Sequence, residues 1–284
     1  MEPNFDLITK PPLPFIGNKG KWIKLLYEYF KDNKVLKLNK NVIIVELFGG
    51  TGLLSILFKQ LYPDNVVIYN DYDHYVDIVK DIDKIDALRI KIYNYVNNEC
   101  KYPYNYKITN TNHINHIMNL IKHSGLDLNN PKILNIISSW LMFNGRIIKF
   151  EAKELYNRIP INNYIQKAEK YMEELKGIKI IHKDYKQVID EFKNKNVFYI
   201  LDPPYLSTSL TFYKHAQFWH LEDTVNLIDL CIYNKAILFE SNKSEINALL
   251  EYMTKYKKYK YNISEDNKKI AMNENTEYFV LFNI

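Results

Sequence analysis

Short β-branched apolar runs alternate with helical stretches at both ends of this chain, and that alternation narrows the fold more than any other feature. Residues 42–48 (VIIVELF) form the first run, followed by Gly49-Gly50-Thr51-Gly52 and a helical LLSILFKQLY. Residues 66–70 (VVIYN) form a second, closed by Asp71 and a helix-like stretch from about 75 to 98. Residues 178–181, 198–201 and 236–239 read as further strands, and 132–143, 164–176, 221–233 and 244–256 as helices. Such alternation predicts an α/β fold with a mostly parallel sheet. The closing segments KYKYNIS and EYFVLFNI predict an antiparallel hairpin whose loop includes Glu265-Asp266-Asn267. Residues 100–165 break the alternation, and NECKYPYNYKITNTNHINH (98–116) at their start is polar, aromatic and irregular. The expected organisation is therefore a main domain, 1–99 with 166–284, and an inserted helical lobe, 100–165.

The bulk properties exclude several classes. Of the 284 residues, 47% are hydrophobic, enough for a substantial core, yet no apolar run approaches the roughly 20 residues of a membrane span. The opening MEPNFDLITKPPLPF is polar and partly acidic, unlike a secretory or transit segment, so an intracellular, cytoplasmic location in a bacterium or a virally infected host is expected. Cys100 and Cys231 stand far apart, with no CxxC spacing and no disulfide framework. His113 and His116 are three apart without Cys or carboxylate partners, which reads as solvated histidines and no metal site. The net charge of +5 is too mild to establish a nucleic-acid partner. Lys, Asn, Ile and Tyr are abundant throughout, as AT-rich coding produces, so many lysines and tyrosines are compositional.

Four short segments carry chemistry. Glu46-Leu47-Phe48-Gly49-Gly50-Thr51-Gly52 follows a strand and opens a helix, the context in which glycines let a backbone turn sharply and a ligand come close. It lacks both a Walker pattern and a full GxGxxG, so it suits a nucleotide-like ligand without a pyrophosphate clasp; a structural tight turn fits as well. Asn70-Asp71-Tyr72-Asp73 puts an acid at the end of the second strand, where a carboxylate can accept two ribose hydroxyls. Asp73 equally suits a helix cap. Pro14-Phe15-Ile16-Gly17-Asn18-Lys19-Gly20-Lys21-Trp22 forms a shaped loop before the first helix, with Lys19 and Lys21 able to neutralise a carboxylate or simply to face water. In FYILDPPY, Asp202-Pro203-Pro204-Tyr205 ends a buried strand on two residues without backbone donors. A rigid turn would suffice as an explanation. An amino group on a planar base needs more, and these residues supply it: a carboxylate and the Pro203 carbonyl to accept two N–H bonds, and the Tyr205 ring for stacking.

PFIGNK, then ELFGGTG, then LDPPY, in that order over nearly the whole chain, resembles the Dam-type (D12 class, α-group) DNA adenine N6-methyltransferases. The resemblance implies a Rossmann-like methyltransferase sheet with S-adenosylmethionine over Phe48, Gly49, Gly50, Thr51 and Gly52, and Asp71 on its ribose. Phe15 and Lys19 match the family's N-terminal donor-binding positions, Asp184-Tyr185 in HKDYKQVI resembles an acid–aromatic pair beside the donor's adenine, and Asp202 adjoins the donor too. Asp184 also suits a cap for the helix that follows. Asp202, Pro203, Pro204 and Tyr205 match the catalytic segment. Phe143-Asn144-Gly145-Arg146 resembles a DNA-contacting segment, Phe143 as a wedge and Asn144 and Arg146 on DNA. Here the chain departs from the family's pattern, because Arg146 follows the glycine directly and KFEAKELYNRIPINN replaces a Gly- and Pro-containing stretch. The implied partner is duplex DNA with a flipped adenine; the sequence does not say whether a cognate restriction enzyme accompanies it. Related alternatives are an N4-cytosine or RNA adenine methyltransferase; a non-catalytic DNA-binding module belongs to a different class.

Overall fold

The computed structural model describes residues 7–15, 17–33, 36–142, 152–161, 164–204, 219–241, 245–246, 248–250, 252, 269–272 and 275–283. They form two compact units. The first comprises residues 1–9, 19–73 and 175–284, and the second residues 10–18 and 74–174.

The first unit is built on the apolar runs. Strands β1 (Ile43–Glu46) and β2 (Val67–Asn70) are followed, after the second unit, by β5 (Ile178–Ile181), β6 (Val197–Leu201) and β7 (Lys235–Ser241). The pair β8 (Lys269–Met272) and β9 (Asn275–Phe282) ends the chain. The sheet order is β5-β2-β1-β6-β7-β9-β8. The first five strands in that order run parallel, and β9 is antiparallel to both β7 and β8. The α/β reading with a mainly parallel sheet and a C-terminal antiparallel pair therefore holds. One detail differs: the described partner of β9 is Lys269–Met272, separated from it by two residues. KYKYNIS (258–264), Glu265, Asp266 and Asn267 lie outside the described residues.

Parallel strands buried on both sides read as continuous apolar runs, and β6 is buried at every position. Helices α1 (Gly20–Asn33), α2 (Leu53–Leu61), α8 (Tyr185–Phe192) and α9 (Leu221–Tyr233) belong to this unit. Aromatic rings fill much of its core: Trp22 meets Phe239 and Phe279 edge-on at centroid distances of 5.6 and 5.7 Å, and Phe58 meets Phe198 at 5.5 Å.

The second unit is mostly helical, with α3 (Tyr75–Lys80), α4 (Ile82–Tyr93), a π-helical turn (Asn94–Glu99), α5 (Thr111–Lys122), α6 (Pro131–Leu141) and α7 (Tyr164–Glu174). A two-stranded ribbon pairs β3 (Lys107–Ile108) with β4 (Leu155–Tyr156). The single helix expected over 75–98 is divided at Asp81 and closes in the π turn. Helix α5 occupies part of the stretch read as irregular. Asn110 caps it by accepting from the backbone N–H groups of Asn112 and His113, and Ile114, Ile117, Met118 and Ile121 line its buried face. Arg89 donates to Asp86 in a buried ion pair and to the Pro160 carbonyl. His113 shares a hydrogen bond with Tyr102, and His116 stacks on Tyr95. No helix among the described residues is long and apolar enough to cross a membrane.

Candidate active site

In the first unit the chain order of strands reverses between β1 and β6: β2 and β5 lie to one side, β7 to the other. Crevices at such switch points, past the carboxyl ends of the strands, are where open α/β sheets bind ligands. Four neighbouring strand ends deliver the sequence-derived candidates there: Phe48 to Gly52 after β1, Asp71 after β2, Asp184 and Tyr185 after β5, and Asp202 to Pro204 after β6.

The glycine loop is shaped around Tyr69 of β2. The Tyr69 hydroxyl donates to the Gly50 carbonyl at 2.8 Å. A Cβ at Gly49 would lie 2.3 Å from the Tyr69 ring and 2.9 Å from the Asn70 carbonyl. At Gly52, with φ +68°, it would lie 2.7 Å from the same ring. These glycines thus admit a ring beneath the loop, where sequence reasoning gave them only a turn and a ligand above. Asn70 then ties three strand ends together. Its amide donates to the carbonyls of Leu47 (3.0 Å) and Lys183 (2.9 Å), and its oxygen accepts from the Lys183 N–H (3.0 Å).

Carboxylates surround the loop. Glu46 is 3% exposed and accepts from both the backbone N–H and the hydroxyl of Ser55 in α2. Burial pushes its carboxyl up to about 8, the Ser55 bonds pull the other way, and the negative charges of Asp202 and Asp71 add to the rise. Asp71 is fully buried; its N–H donates to the Ile181 carbonyl, and its own carbonyl is 2.7 Å from His182 Nδ1. Asp202 is paired with Lys19, Nζ to Oδ1 2.7 Å, with both side chains largely buried. Lys19 therefore neutralises a carboxylate, and that carboxylate is the one opening the Pro-Pro segment. Pro203 is buried and Pro204 half-buried.

Rings form the other wall. Phe48, Tyr185 and Trp219 meet pairwise at 5.5, 5.5 and 5.3 Å. Asp184 caps α8, accepting from the Lys186 N–H at 2.9 Å, the local role its position also suited. Neither Trp219 nor Asn70 was given a site role from sequence: Asn70 lies inside the segment singled out for Asp71, and Trp219 stands outside all four segments. Phe15 belongs to the second unit, where its ring meets Tyr75 edge-on at 5.4 Å and Lys132 lies over it at 4.6 Å. Tyr205, Phe143, Asn144 and Arg146 lie outside the described residues.

A parallel sheet with a C-terminal antiparallel pair and a glycine loop at the switch point is consistent with a Rossmann-like methyltransferase fold. Comparison with known proteins narrows it. The sequence profile of the D12 class N6 adenine-specific DNA methyltransferases matches residues 15–272. A Haemophilus influenzae protein provisionally named a methyltransferase is 34% identical over 281 residues, covering 95% of this chain and 88% of that protein. The chain belongs to the D12 class N6 adenine-specific DNA methyltransferase family, and is an enzyme whose chemistry requires a methyl donor and a DNA substrate.

Proposed function

We propose that the protein transfers a methyl group from S-adenosylmethionine to N6 of an adenine flipped out of duplex DNA. The observation that carries this reading is the convergence of the Gly49–Gly52 loop, Asp71, Tyr185 and Asp202–Pro204 on four adjacent strand ends at the switch point. The residues fit such a donor. Asp71 places negative charge within electrostatic reach of Glu46, suited to a cation, and Phe48, Tyr185 and Trp219 provide apolar rings suited to a purine. Bound there, S-adenosylmethionine supplies a methyl group on a positively charged sulfur.

The chain's own residues do the rest. Asp71 holds the donor's ribose, and the loop at Phe48–Gly52 lets the donor lie close to the backbone. Asp202 and the Pro203 carbonyl accept the two N–H bonds of the adenine amino group, orienting its lone pair toward the donor. Pro203 and Pro204 keep that platform stiff, and Tyr205 stacks on the base. Lys19, held on Asp202, fixes the carboxylate before substrate arrives. N6 would form its bond to the methyl as the methyl–sulfur bond breaks, releasing a neutral thioether, and would shed one proton to water beside Asp202; catalysis by this route is positioning plus stabilisation of the charge that builds on N6. Flipping costs a few kcal/mol, recovered in part by stacking. Residues 100–165 serve target recognition, with Phe143, Asn144 and Arg146 on DNA, and the enzyme works in the cytoplasm, where DNA is accessible.

The test is to incubate the protein with labelled S-adenosylmethionine and AT-rich duplex DNA, digest to nucleosides and identify the labelled one. N6-methyladenine is expected; label on cytosine, or on RNA alone, would contradict the reading.

A further inference from the structure

The first turn of α9 is joined to the first turn of α8 through one buried carboxylate. Asp223, 4% exposed, accepts the Tyr185 hydroxyl on Oδ1 at 2.5 Å and the Lys186 ammonium on the same oxygen at 2.7 Å. Its Oδ2 accepts the backbone N–H of His220 at 2.8 Å, completing a capping box at the start of α9. A capping acid needs only the last of these bonds. The bond to the phenol fixes the outer end of a ring whose body lies against Phe48 and Trp219, and the Trp219 indole is itself pinned by donating to Thr224 Oγ1 at 3.2 Å. Segments that follow three strand ends thus contribute one ring each, and α9 holds two of the three in place.

We propose that Asp223 is a positioning residue of the donor site: through the Tyr185 hydroxyl it locks that ring into a wall with Phe48 and Trp219 against which the donor's planar base packs. The inference rests on the proposed S-adenosylmethionine site. Burial and the bond to Asp223 push the Tyr185 phenol up, so it stays protonated and donating; the bonds from Lys186, Tyr185 and His220 hold Asp223 down against its burial, so it stays an acceptor. Of the three bonds to Asp223, the one from the Tyr185 hydroxyl reaches the ring wall directly. Its effect should therefore fall on donor affinity and leave turnover of the bound complex intact.

The decisive variant is Tyr185→Phe, which keeps the ring and the α9 cap and removes one hydroxyl. Donor affinity is measured by calorimetry with S-adenosylmethionine and with S-adenosylhomocysteine, alongside kinetics with duplex DNA. Kd and KM for the donor are expected to rise about tenfold, with kcat and the KM for DNA within about twofold of the parent. Asp223→Asn leaves one acceptor oxygen for donors that Asp223 holds on two, so its donor Kd should also rise, to between parent and Tyr185→Phe. Donor binding should also change tryptophan fluorescence in the parent, and that change should vanish in Trp219→Phe although Trp22 and Trp140 remain. A Tyr185→Phe enzyme with parental donor Kd and KM overturns the inference while leaving the donor site standing, as does a fluorescence change that survives Trp219→Phe. A parent that binds neither ligand overturns the donor site itself, and this inference with it.

Discussion

Glu46 sits where a carboxylate is least comfortable, buried beneath the glycine loop with Asp71 and Asp202 nearby. Its folded-state value of about 8 lies above the ordinary 4.5, so between those two values the folded protein keeps a proton that the unfolded chain has released. Stability from this group is then full below the ordinary value and declines as pH rises through that window, at a rate of about 1.4 kcal/mol per pH unit at most. Glu46→Gln keeps the acceptor for Ser55 and removes the titration. Urea unfolding at pH 5 and pH 8 should show the parent losing more stability than the variant over that interval. At Gly49 the constraint is steric. A methyl group would press into the Tyr69 ring and the Asn70 carbonyl, and since the carbonyl is backbone the strand end must shift. Gly49→Ala should cost about 1–3 kcal/mol in chemical denaturation, and the displaced loop should lose donor affinity. Much of this residue-level detail was legible in sequence only as type and place: glycines after a strand, an acid at its end, two prolines after another. What was hidden is what those residues touch. Asn70 and Lys183 are 113 positions apart, and only parallel pairing of β2 with β5 makes them neighbours.

Among the elements, those bounded by strong local signals were readable. The strands at 43–46, 67–70, 178–181, 197–201 and 235–241 follow continuous apolar runs, because a strand covered on both faces has no polar side to interrupt it. Helix α5 was not readable, since its apolar positions are spaced among Asn and His residues in a polar, aromatic stretch. The break at Asp81 was missed for the opposite reason: apolar residues continue on both sides of it. Asn70 makes an element-scale prediction possible, because its side chain holds the ends of β1, β2 and β5 in one register. Asn70→Asp has nearly the same shape but cannot donate to the carbonyls of Leu47 and Lys183. It should lower stability by about 1–3 kcal/mol and weaken donor binding in the same variant. A loss of stability with unchanged donor affinity would show that donor binding does not depend on this tie between strand ends.

At the scale of the whole molecule, binding couples to stability and to salt. A donor that binds only the folded chain should raise its unfolding free energy by about 2.7 kcal/mol at a hundredfold excess over Kd, visible as a concentration-dependent rise in Tm. DNA affinity is expected to fall linearly on a logarithmic scale with salt, because each phosphate neutralised by lysine or arginine releases a counterion. The overall charge of +5 is modest, so the slope reports how many of the cations are gathered on the DNA. In the proposed function Asp202 grips the reacting amino group while other residues hold the donor. The most direct measurement compares the parent with Asp202→Ala, given labelled S-adenosylmethionine and duplex DNA, and scores donor affinity and labelled N6-methyladenine in the same samples. The role proposed for Asp202 requires donor affinity within a few-fold of the parent and transfer reduced by about a hundredfold or more. An Asp202→Ala enzyme that forms N6-methyladenine at the parental rate would contradict it.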